Sequence, residues 1–572
     1  MSVTVTIVYN MNPAAARPNA AGSSAGAQTG YAAVAAALVP WWQARVEQAG
    51  VGGTAGDLVI DLEATPPSPL PAVSGSATPL DPWSLGTQYV GTLDPADRAE
   101  HGRHYTPQDL AEHLWAMTRA AMGFGIEDRR LPGLLRDPAV GGGALLIAPL
   151  REHLRASVDV DPSLVLSSLP NLIEGIDNDP WAVYLANVLL AGEMLPTWAR
   201  IPASRRRPLP TLVHVGDGLD PDLPPAHSWI MNPPYGRLTL SAERRAQFAD
   251  SLFGHANLYG LFLASALGKT ASDGAIGALV PTSFSAGLYF HKLRGQISEK
   301  APLRSLMFVH ERDGVFGGVL QETCLAVFTP KRARRATITR INGHVTEVAK
   351  VPTPRTDEPW LIPRESRDAA TAAAASSLPL TLKDCGWRVS TGPLVWNRRR
   401  DDLSSRKASN RARIIWGADM QDGAIKRAKA RSALRYLTLS SPSDDKVMVL
   451  KTPAVLVQRT TAPEQERRLV VAALTQGTLD AHDGQVVIEN HINVLRPTES
   501  NPVLTLETLT RVLTSPTLDR LMRCISGSVA VSAYELEALP LPDRETLHVW
   551  NTLDGAALDA AIESAYRLPL RT

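Results

Sequence analysis

Short apolar runs alternate with segments of helical periodicity through the middle of this chain. Four of the runs are typical of buried strands, because each is about four to six residues long and is closed by turn-forming or polar residues. They occupy residues 134–137, 172–177, 212–215 and 228–231. Apolar residues recur at helical spacing over residues 144–154 and 180–192. The alternation predicts an open α/β sheet.

The residues that close these runs indicate a ligand site. Asp137 and Asp177 end the first two runs, Asp217 follows the third, and Asn232 follows the fourth. In an open α/β sheet, ligands bind at the carboxyl ends of the strands. A single acid at a strand end is more often a cap than a ligand. Three in succession, followed by Asn-Pro-Pro-Tyr at residues 232–235, are hard to explain as capping.

The sequence Asn-Pro-Pro-Tyr points to chemistry on an amino group. Two prolines end the strand and turn the chain outward. The Asn232 side-chain oxygen and the Pro233 carbonyl can each accept one N–H of an exocyclic base amine, drawing its nitrogen toward tetrahedral geometry. The Tyr235 ring offers a face for a planar ring that has left its helix. The alternative for an isolated match is a Pro-Pro turn with an asparagine cap.

A glycine-rich turn, with Gly141 and Gly143 among its residues, follows the first strand and precedes a helix. Such turns allow close backbone approach to a ligand at a helix N-terminus. Asp137 would repel a pyrophosphate but suits a cationic amino-acid group, which favours S-adenosylmethionine over a dinucleotide. Asp177 is then expected at the ribose hydroxyls and Asp217 at the cofactor adenine. Thr106 marks either a helix N-cap or a loop over the cofactor.

Composition narrows the class of protein. The chain has 572 residues, 44% hydrophobic and 20% charged, which predicts a soluble protein of two or three domains. Its 58 basic and 57 acidic residues leave a net charge of +1, so any surface for nucleic acid must be local. The three cysteines have no metal or disulfide spacing, and no apolar run reaches membrane-spanning length. We expect a cytoplasmic protein without a metal site or a membrane partner.

Basic clusters with interspersed aromatics appear beyond a proline-rich linker near residue 352. Basic runs are usually solvated surface, but if the first domain acts on DNA, phosphate contacts are the better interpretation. The candidate DNA-binding residues are Arg398, Arg399, Arg400, Arg406, Lys407, Arg411, Lys426 and Arg427.

Together these motifs resemble the γ-class N6-adenine DNA methyltransferases of restriction–modification and phage-defence systems. The order is Tyr105-Thr106-Pro107, then Asp137-Pro138-Ala139, Asp177, Asp217 and the tetrapeptide at 232–235. The resemblance implies a Rossmann-like class I S-adenosylmethionine-dependent methyltransferase sheet, mixed and seven-stranded. It implies catalytic roles for Asn232, Pro233, Tyr235 and Phe316. It also implies cofactor contacts from Tyr105, Thr106, Pro107, Asp137, Pro138, Ala139, Gly141, Gly143, Asp177, Asn178, Asp217 and Asn232.

Two departures from the family pattern concern the glycine turn. Val140 and Gly142 stand where the family usually has Cys and Ser, and both changes preserve close backbone approach. The long connection over residues 155–171 leaves open whether Asp177 or Asp179 meets the ribose.

The expected domains follow from the resemblance and the composition. They are an N-terminal, partly mobile and partly helical extension (1–84), a catalytic domain (85–345), a mixed α/β target-recognition domain (346–545) and a C-terminal helical tail (546–572). The expected function is sequence-specific methylation of adenine N6 in duplex DNA, with a restriction endonuclease or other defence subunits as further partners. Alternatives are a cytosine-N4, RNA or protein-glutamine methyltransferase and a non-catalytic DNA-binding subunit. A fused nuclease is disfavoured, because no convincing set of nuclease carboxylates is present.

Overall fold

The structure is a computed structural model of the whole chain. The residues that it describes are 37–38, 40–51, 81–92, 105–123, 129–309, 322–421, 423–426, 428, 434–461, 465–525 and 530–567.

The elements up to residue 352 build one large α/β unit. Its strands are β1 (Leu135–Asp137), β2 (Ile173–Asp177), β3 (Val213–Val215), β4 (Ser228–Met231), β5 (Arg237–Leu238), β6 (Ala256–Asn257), β7 (Ile276–Pro281), β8 (Leu303–Val309), β9 (Thr323–Phe328), β10 (Arg335–Asn342) and β11 (His344–Pro352). Its helices are Pro82–Thr92, Gln108–Met122, Ala144–Ala156, Pro162–Ser168, Pro180–Ala199, Ala242–Gln247, Leu258–Leu267 and His291–Lys300. A further helix runs through residues 40–48.

Nine strands form the main sheet, in the order β11-β10-β8-β9-β7-β4-β1-β2-β3. The pairs β3-β2, β2-β1, β1-β4 and β4-β7 are parallel. β9 runs antiparallel between β7 and β8. The strand order reverses between β1 and β4, which is where doubly wound sheets bind ligands. The sheet has two strands more than the resemblance implies, because β10 pairs in parallel with β8 and β11 then covers the edge.

Both faces of the sheet are covered by helices, as the apolar strands require. Ile230 of β4 packs into a core with Leu114, while its neighbours Trp229 and Met231 pack on the opposite face with Leu263. Successive side chains of a strand point to opposite faces. All three β4 residues are fully buried, so the position where β4 ends is set by packing on both sides.

The C-terminal region is mixed α/β and holds two larger sheets. One joins Trp387–Thr391, Ile492–Pro497, Ala454–Gln458 and Val471–Leu474; the other joins Leu403–Ser404, Tyr436–Thr438, Arg411–Ile415, Val486–Ile488 and Val449–Leu450. Two-stranded pairs join Leu380–Thr381 to Pro540–Leu541 and Met420–Gln421 to Ala424–Ile425. The helices are Ala369–Ala375, Pro442–Met448, Gln476–Asp480, Leu506–Thr514, Pro516–Ile525, Ala533–Glu537, Arg544–Trp550 and Gly555–Ala565.

Two connections differ from the expectation. The helix that starts at Pro180 runs to Ala199 rather than residue 192, because its apolar residues remain buried through Leu195 and Thr197. The connection over residues 155–171 contains the helix Pro162–Ser168, which Asp161 caps by accepting a hydrogen bond from the Ser163 N–H. In the described part of the chain, no helix is both long and apolar enough to span a membrane.

Candidate active site

Four parallel strands end side by side at one edge of the sheet. Asp137 is the last residue of β1 and Asp177 the last of β2, while Asp217 follows β3 and Asn232 follows β4. Because β3, β2, β1 and β4 are neighbours in that order, residues up to 95 positions apart in the chain meet at the carboxyl edge. The cluster that the sequence predicts at this edge is therefore present.

The side chain of Asn232 is oriented by two partners. Its Nδ2 donates to Thr106 Oγ1 at 3.0 Å. The Tyr235 hydroxyl donates to Asn232 Oδ1 at 2.9 Å and also lies 3.1 Å from the Leu279 carbonyl oxygen. Oδ1 lies on the Tyr235 side and Nδ2 on the Thr106 side.

Tyr235 is held as a neutral donor. Burial, with a smaller contribution from the nearby Cys324, raises the pKa of the Tyr235 phenol well above its ordinary value. Its ring packs edge-on against Tyr259, with centroids 6.2 Å apart. Tyr259 in turn hydrogen-bonds the hydroxyl of Ser283, in the segment after β7. The two tyrosines therefore brace the Asn-Pro-Pro-Tyr turn against the carboxyl end of β7.

Thr106 does not cap the helix that follows it. The N-cap of Gln108–Met122 is Pro107, and no side chain caps it. Thr106 is 3% exposed, and its hydroxyl accepts from Asn232 at the opposite side of the site. The structure thus favours the loop alternative for Thr106 over the cap.

The glycine turn after β1 is shaped by its neighbours. Gly141 and Gly143 have φ angles of 50° and 84°, in the left-handed region that favours glycine. A Cβ at Gly142 would lie 3.2 Å from the Tyr105 ring, so the tyrosine fills the space that a side chain would need. A Cβ at Gly141 would meet no atom of the described residues within 4 Å, so that these residues leave this part of the turn open to a ligand.

Asp137 is a buried acid. It is 1% exposed, and its Oδ1 accepts from the Ala139 N–H at 3.1 Å. Burial above all, and then the charge of Asp177, hold the pKa of the Asp137 carboxyl well above its usual range, although the Ala139 hydrogen bond opposes them. No basic side chain of the described residues pairs with Asp137. A buried carboxylate in this position is stabilised by a cationic ligand.

Asp177 and Asp179 have different tasks. Asp177 accepts from the Gly141 N–H at 2.8 Å and from the Asp179 N–H at 2.9 Å, so it links β2 to the glycine turn. Asp179 caps the next helix through the Trp181 N–H and accepts from the Tyr89 hydroxyl at 2.6 Å. Asp177 is therefore hydrogen-bonded to the glycine turn, whereas Asp179 caps the helix that follows. Asn178, between them, is exposed.

Asp217 already has a cationic partner that the sequence analysis missed. Arg244, on the helix Ala242–Gln247, forms an ion pair with Asp217 and donates to the Leu219 carbonyl at 2.6 Å. Asp217 Oδ1 also accepts from the Leu219 N–H at 2.9 Å. The partners are 27 residues apart, and no local pattern in the sequence marks Arg244 as one of them.

Several of the predicted DNA-binding residues form contacts within the protein. Arg399 pairs with Asp402 and with Asp444, the latter at 2.9 Å, and Lys407 lies 2.8 Å from Asp483. Arg411 donates to Ser404 Oγ at 2.9 Å. Four of the others, Arg398, Arg400, Arg406 and Lys426, are exposed. Phe316 and Arg427 lie outside the described residues.

Two arginines, the buried Arg294 and the partly buried Arg364, join the carboxyl edge to the C-terminal region. Arg294 is fully buried and donates to the carbonyls of Phe284 and Gly287 and to the Tyr534 hydroxyl at 2.9 Å. Arg364 binds Glu322 with two nitrogens, and Glu322 in turn accepts from Thr282 at 3.0 Å. Both contacts link the segment after β7 to the region beyond residue 352.

Comparison with known proteins agrees with this arrangement. Over 336 residues the chain is 29% identical to the type II methyltransferase M.PstI of Providencia stuartii, and over 332 residues it is 23% identical to M.BsuBI of Bacillus subtilis. Its sequence relatives are type II methyltransferases. Each match covers 56% of this chain and 65% of the relative, so the chain spans just under two thirds of their length. No protein-family model matches the chain.

A solved structure supports the fold independently. The type IIL restriction–modification enzyme MmeI superimposes with a TM-score of 0.50 at 13% identity, over 86% of this chain and 78% of that one. The expected fold, that of the class I S-adenosylmethionine-dependent methyltransferases, is confirmed. The methyltransferase relatives imply S-adenosylmethionine as the cofactor, and the open glycine turn and the buried Asp137 carboxylate fit it.

Proposed function

We propose that this chain is a DNA adenine-N6 methyltransferase that transfers a methyl group from S-adenosylmethionine to an adenine extruded from duplex DNA. The observation that carries the proposal is the orientation of Asn232. Its acceptor oxygen is placed at the carboxyl edge by Thr106 and Tyr235, beside the glycine turn that suits the cofactor. The type II methyltransferase relatives support the same reaction class.

The target amine needs two acceptors, and the turn after β4 offers both. The lone pair of an exocyclic amine is delocalised into the ring, which makes the nitrogen a weak nucleophile. Asn232 Oδ1 accepts from Tyr235, and because a carbonyl oxygen has two lone pairs, a target N–H is a second donor to it in this proposal. The Pro233 carbonyl supplies the second acceptor from a rigid backbone. The Tyr235 ring then supports the extruded base.

The acids of the other strands bind and orient the cofactor in this proposal. When bound, S-adenosylmethionine supplies an electrophilic methyl group. Asp137 stabilises its cationic amino-acid end, and Asp177, on the glycine turn, accepts from the ribose hydroxyls. Asp217 accepts from the adenine amine, so this contact must share the carboxylate with Arg244 or displace it. Rate enhancement then comes largely from positioning.

Duplex DNA is the proposed substrate, and residues 346–545 are the proposed target-recognition domain. MmeI, the structural relative, was solved in complex with DNA and aligns over 86% of this chain. Arg398, Arg400 and Arg406 are exposed and can contact phosphates. We assign the protein to a restriction–modification or phage-defence system, with an endonuclease or another defence subunit as partner.

Methyl transfer with a tritiated cofactor tests the proposal. Wild-type protein should label duplex DNA, and nucleoside analysis should recover the label as N6-methyladenine. Asn232→Ala should abolish the labelling while leaving the melting temperature near that of wild type, because Asn232 is only partly buried. Label on cytosine N4 would leave the amine chemistry standing but would refute the base assignment. Label in protein or RNA, or DNA binding without transfer, would overturn the proposal.

A further inference from the structure

Two aromatic side chains stand exposed beside the catalytic turn. Phe253 and Tyr289 are 41% and 40% exposed, and Leu288, next to Tyr289, is 39% exposed. Of the large apolar side chains that are exposed among the described residues, Phe253 and Tyr289 are aromatic and the others are aliphatic. With His255 and His291 they form one surface, here called the 253/289 patch. Contiguous exposed apolar surface of this kind marks an interaction site.

Packing against neighbouring side chains holds the two rings of the patch in place. The Phe253 ring packs edge-on against His291, with centroids 4.5 Å apart, and the Tyr289 ring packs against His255 at 5.5 Å. Gly254, between Phe253 and His255, has a φ of 67°, and a Cβ there would lie 2.8 Å from the Tyr289 ring. The loop therefore closes tightly on Tyr289. Both rings are held by neighbours and still present a face to solvent.

The patch lies at the edge where the strands end. Its two segments are the β5–β6 connection and the turn after β7, and both leave the carboxyl edge of the sheet. The Arg237 guanidinium lies 6.0 Å from the centre of the Tyr289 ring and only two residues beyond Tyr235. Packed rings connect the two places, with Tyr259 6.2 Å from Tyr235 and 5.0 Å from Phe290. A duplex that delivers a base to Tyr235 is wide enough to reach the patch as well, since its major groove alone is about 12 Å wide.

The charge around the patch suits a polyanion. The exposed basic side chains of the two segments are Arg237 and Arg245, and the exposed acidic ones are Glu243 and Asp250. The helix that follows the second segment adds the exposed residues Lys292, Glu299 and Lys300. Arg244 lies in the same connection but is paired with Asp217. Aromatic faces with adjacent basic groups are the combination that binds unstacked bases and their phosphates.

We infer that the 253/289 patch contacts the DNA strand next to the extruded base, with the Tyr289 and Phe253 rings stacking on base faces that extrusion leaves uncovered and Arg237 binding a phosphate. This inference rests on the proposed function. It adds a second DNA contact, on the catalytic domain, to the expected contacts of the C-terminal region. Removing a base from the stack costs stacking energy, and protein rings that replace the lost contact favour the extruded state.

The test uses the full-length protein and a short duplex that contains a site first mapped by sequencing DNA methylated by the wild type. The target adenine is replaced by 2-aminopurine, whose fluorescence rises when the base leaves the stack. Tyr289→Ala and Phe253→Ala should each weaken DNA binding at least about fivefold and reduce the fluorescence rise. Affinity for S-adenosylmethionine and melting temperature should stay near wild type. Tyr289→Phe, which keeps the ring, should restore both DNA readouts.

Leu164→Ala is the matched control. Leu164 is 64% exposed and lies on the helix that leads to the amino end of β2, away from the carboxyl edge. If wild type methylates DNA and both alanine variants match Leu164→Ala in affinity and fluorescence, the inference is overturned and the proposed function stands. If wild type neither binds nor methylates DNA, both fall together. Gel filtration and thermal melting will show whether the alanine variants lose DNA binding because they associate or unfold. In that case Arg237→Ala is the deciding variant. Weaker DNA binding and a smaller fluorescence rise in a folded, monomeric Arg237→Ala would support the inference, and unchanged values would refute it.

Discussion

Replacing Thr106 by valine tests whether the orientation of the Asn232 amide matters for methyl transfer. Valine matches threonine in shape but removes the hydroxyl that accepts from Asn232 Nδ2 at 3.0 Å. The amide then loses its contact with Thr106 and can rotate, presenting N–H groups to an amine that needs acceptors. We expect methyl transfer to slow while the protein remains folded.

The size of the effect follows from the lost contact. A polar group left without its hydrogen-bond partner in a buried setting costs about 1–3 kcal/mol. Thr106 is 3% exposed, so water does not readily replace its hydroxyl. If the cost falls on the transition state, kcat decreases about 5- to 150-fold, since about 1.4 kcal/mol is a factor of ten. Thr106→Ser keeps the acceptor and should stay within about threefold of wild type.

Steady-state transfer of tritiated methyl groups to DNA measures kcat and the KM for each substrate. Thr118→Val is the control, because Thr118 lies on the helix after Thr106 and donates to the Leu114 carbonyl, remote from Asn232. It should change stability without changing kcat. Tyr235→Phe removes the other tether, and its effect should be non-additive with that of Thr106→Val. A kcat for Thr106→Val within twofold of wild type, or additive effects of the pair, would refute this role of the amide.

Four other substitutions test the surroundings of the site. Gly218→Ala places a Cβ 1.8 Å from the Pro138 carbonyl oxygen, so we expect a lower melting temperature and cofactor binding weakened at least tenfold by calorimetry. The pKa of the Asp137 carboxyl is higher in the folded protein than in the unfolded chain, where it is near 3.8. Protonation of Asp137 therefore stabilises the folded protein fully at pH values below about 3.8, and this stabilisation is lost as the pH rises through the folded pKa. Asp137→Asn should therefore raise the melting temperature of the cofactor-free protein at pH 7, with a gain that shrinks toward pH 4, while it weakens cofactor binding; an equal gain at both pH values would contradict the sign. Tyr534→Phe removes a hydrogen bond of 2.9 Å to Arg294 and should lower stability by about 1 kcal/mol in urea unfolding, with a larger loss for Arg294→Met, which leaves the carbonyls unpaired.

The carboxyl edge of the sheet was predictable because local rules coincide there. The runs before Asp137, Asp177 and Asn232 are apolar enough to be buried strands, and each ends where a turn residue follows. Parallel strands must place such ends at one edge, so the pattern alone predicts that these residues meet. The confirmed fold follows from the same reasoning.

The partners of these residues were not predictable, because they come from distant parts of the chain. Thr106 and Asn232 are 126 residues apart, and Arg294 and Tyr534 are 240 apart. A threonine before a proline and a helix satisfies the local rule for an N-cap, and only tertiary packing shows that its hydroxyl faces Asn232. Composition could not separate Arg399, which pairs with Asp444, from Arg398, which is exposed.

The near-zero net charge and the proposed DNA substrate are reconciled by how the charges are used. Arg244, Arg364 and Arg399 are each paired with an acid of the protein, so they add to the basic count without adding to the basic surface. Among the described residues, the exposed cations that we propose for phosphate contact lie in the segment 398–406 and around the 253/289 patch. Screening affects such exposed contacts most, whereas partly buried pairs such as Arg364–Glu322 are screened less. DNA affinity should consequently fall as the salt concentration rises, with the shallow slope expected for a small number of phosphate contacts. The contacts between the carboxyl edge and the C-terminal region should stay intact.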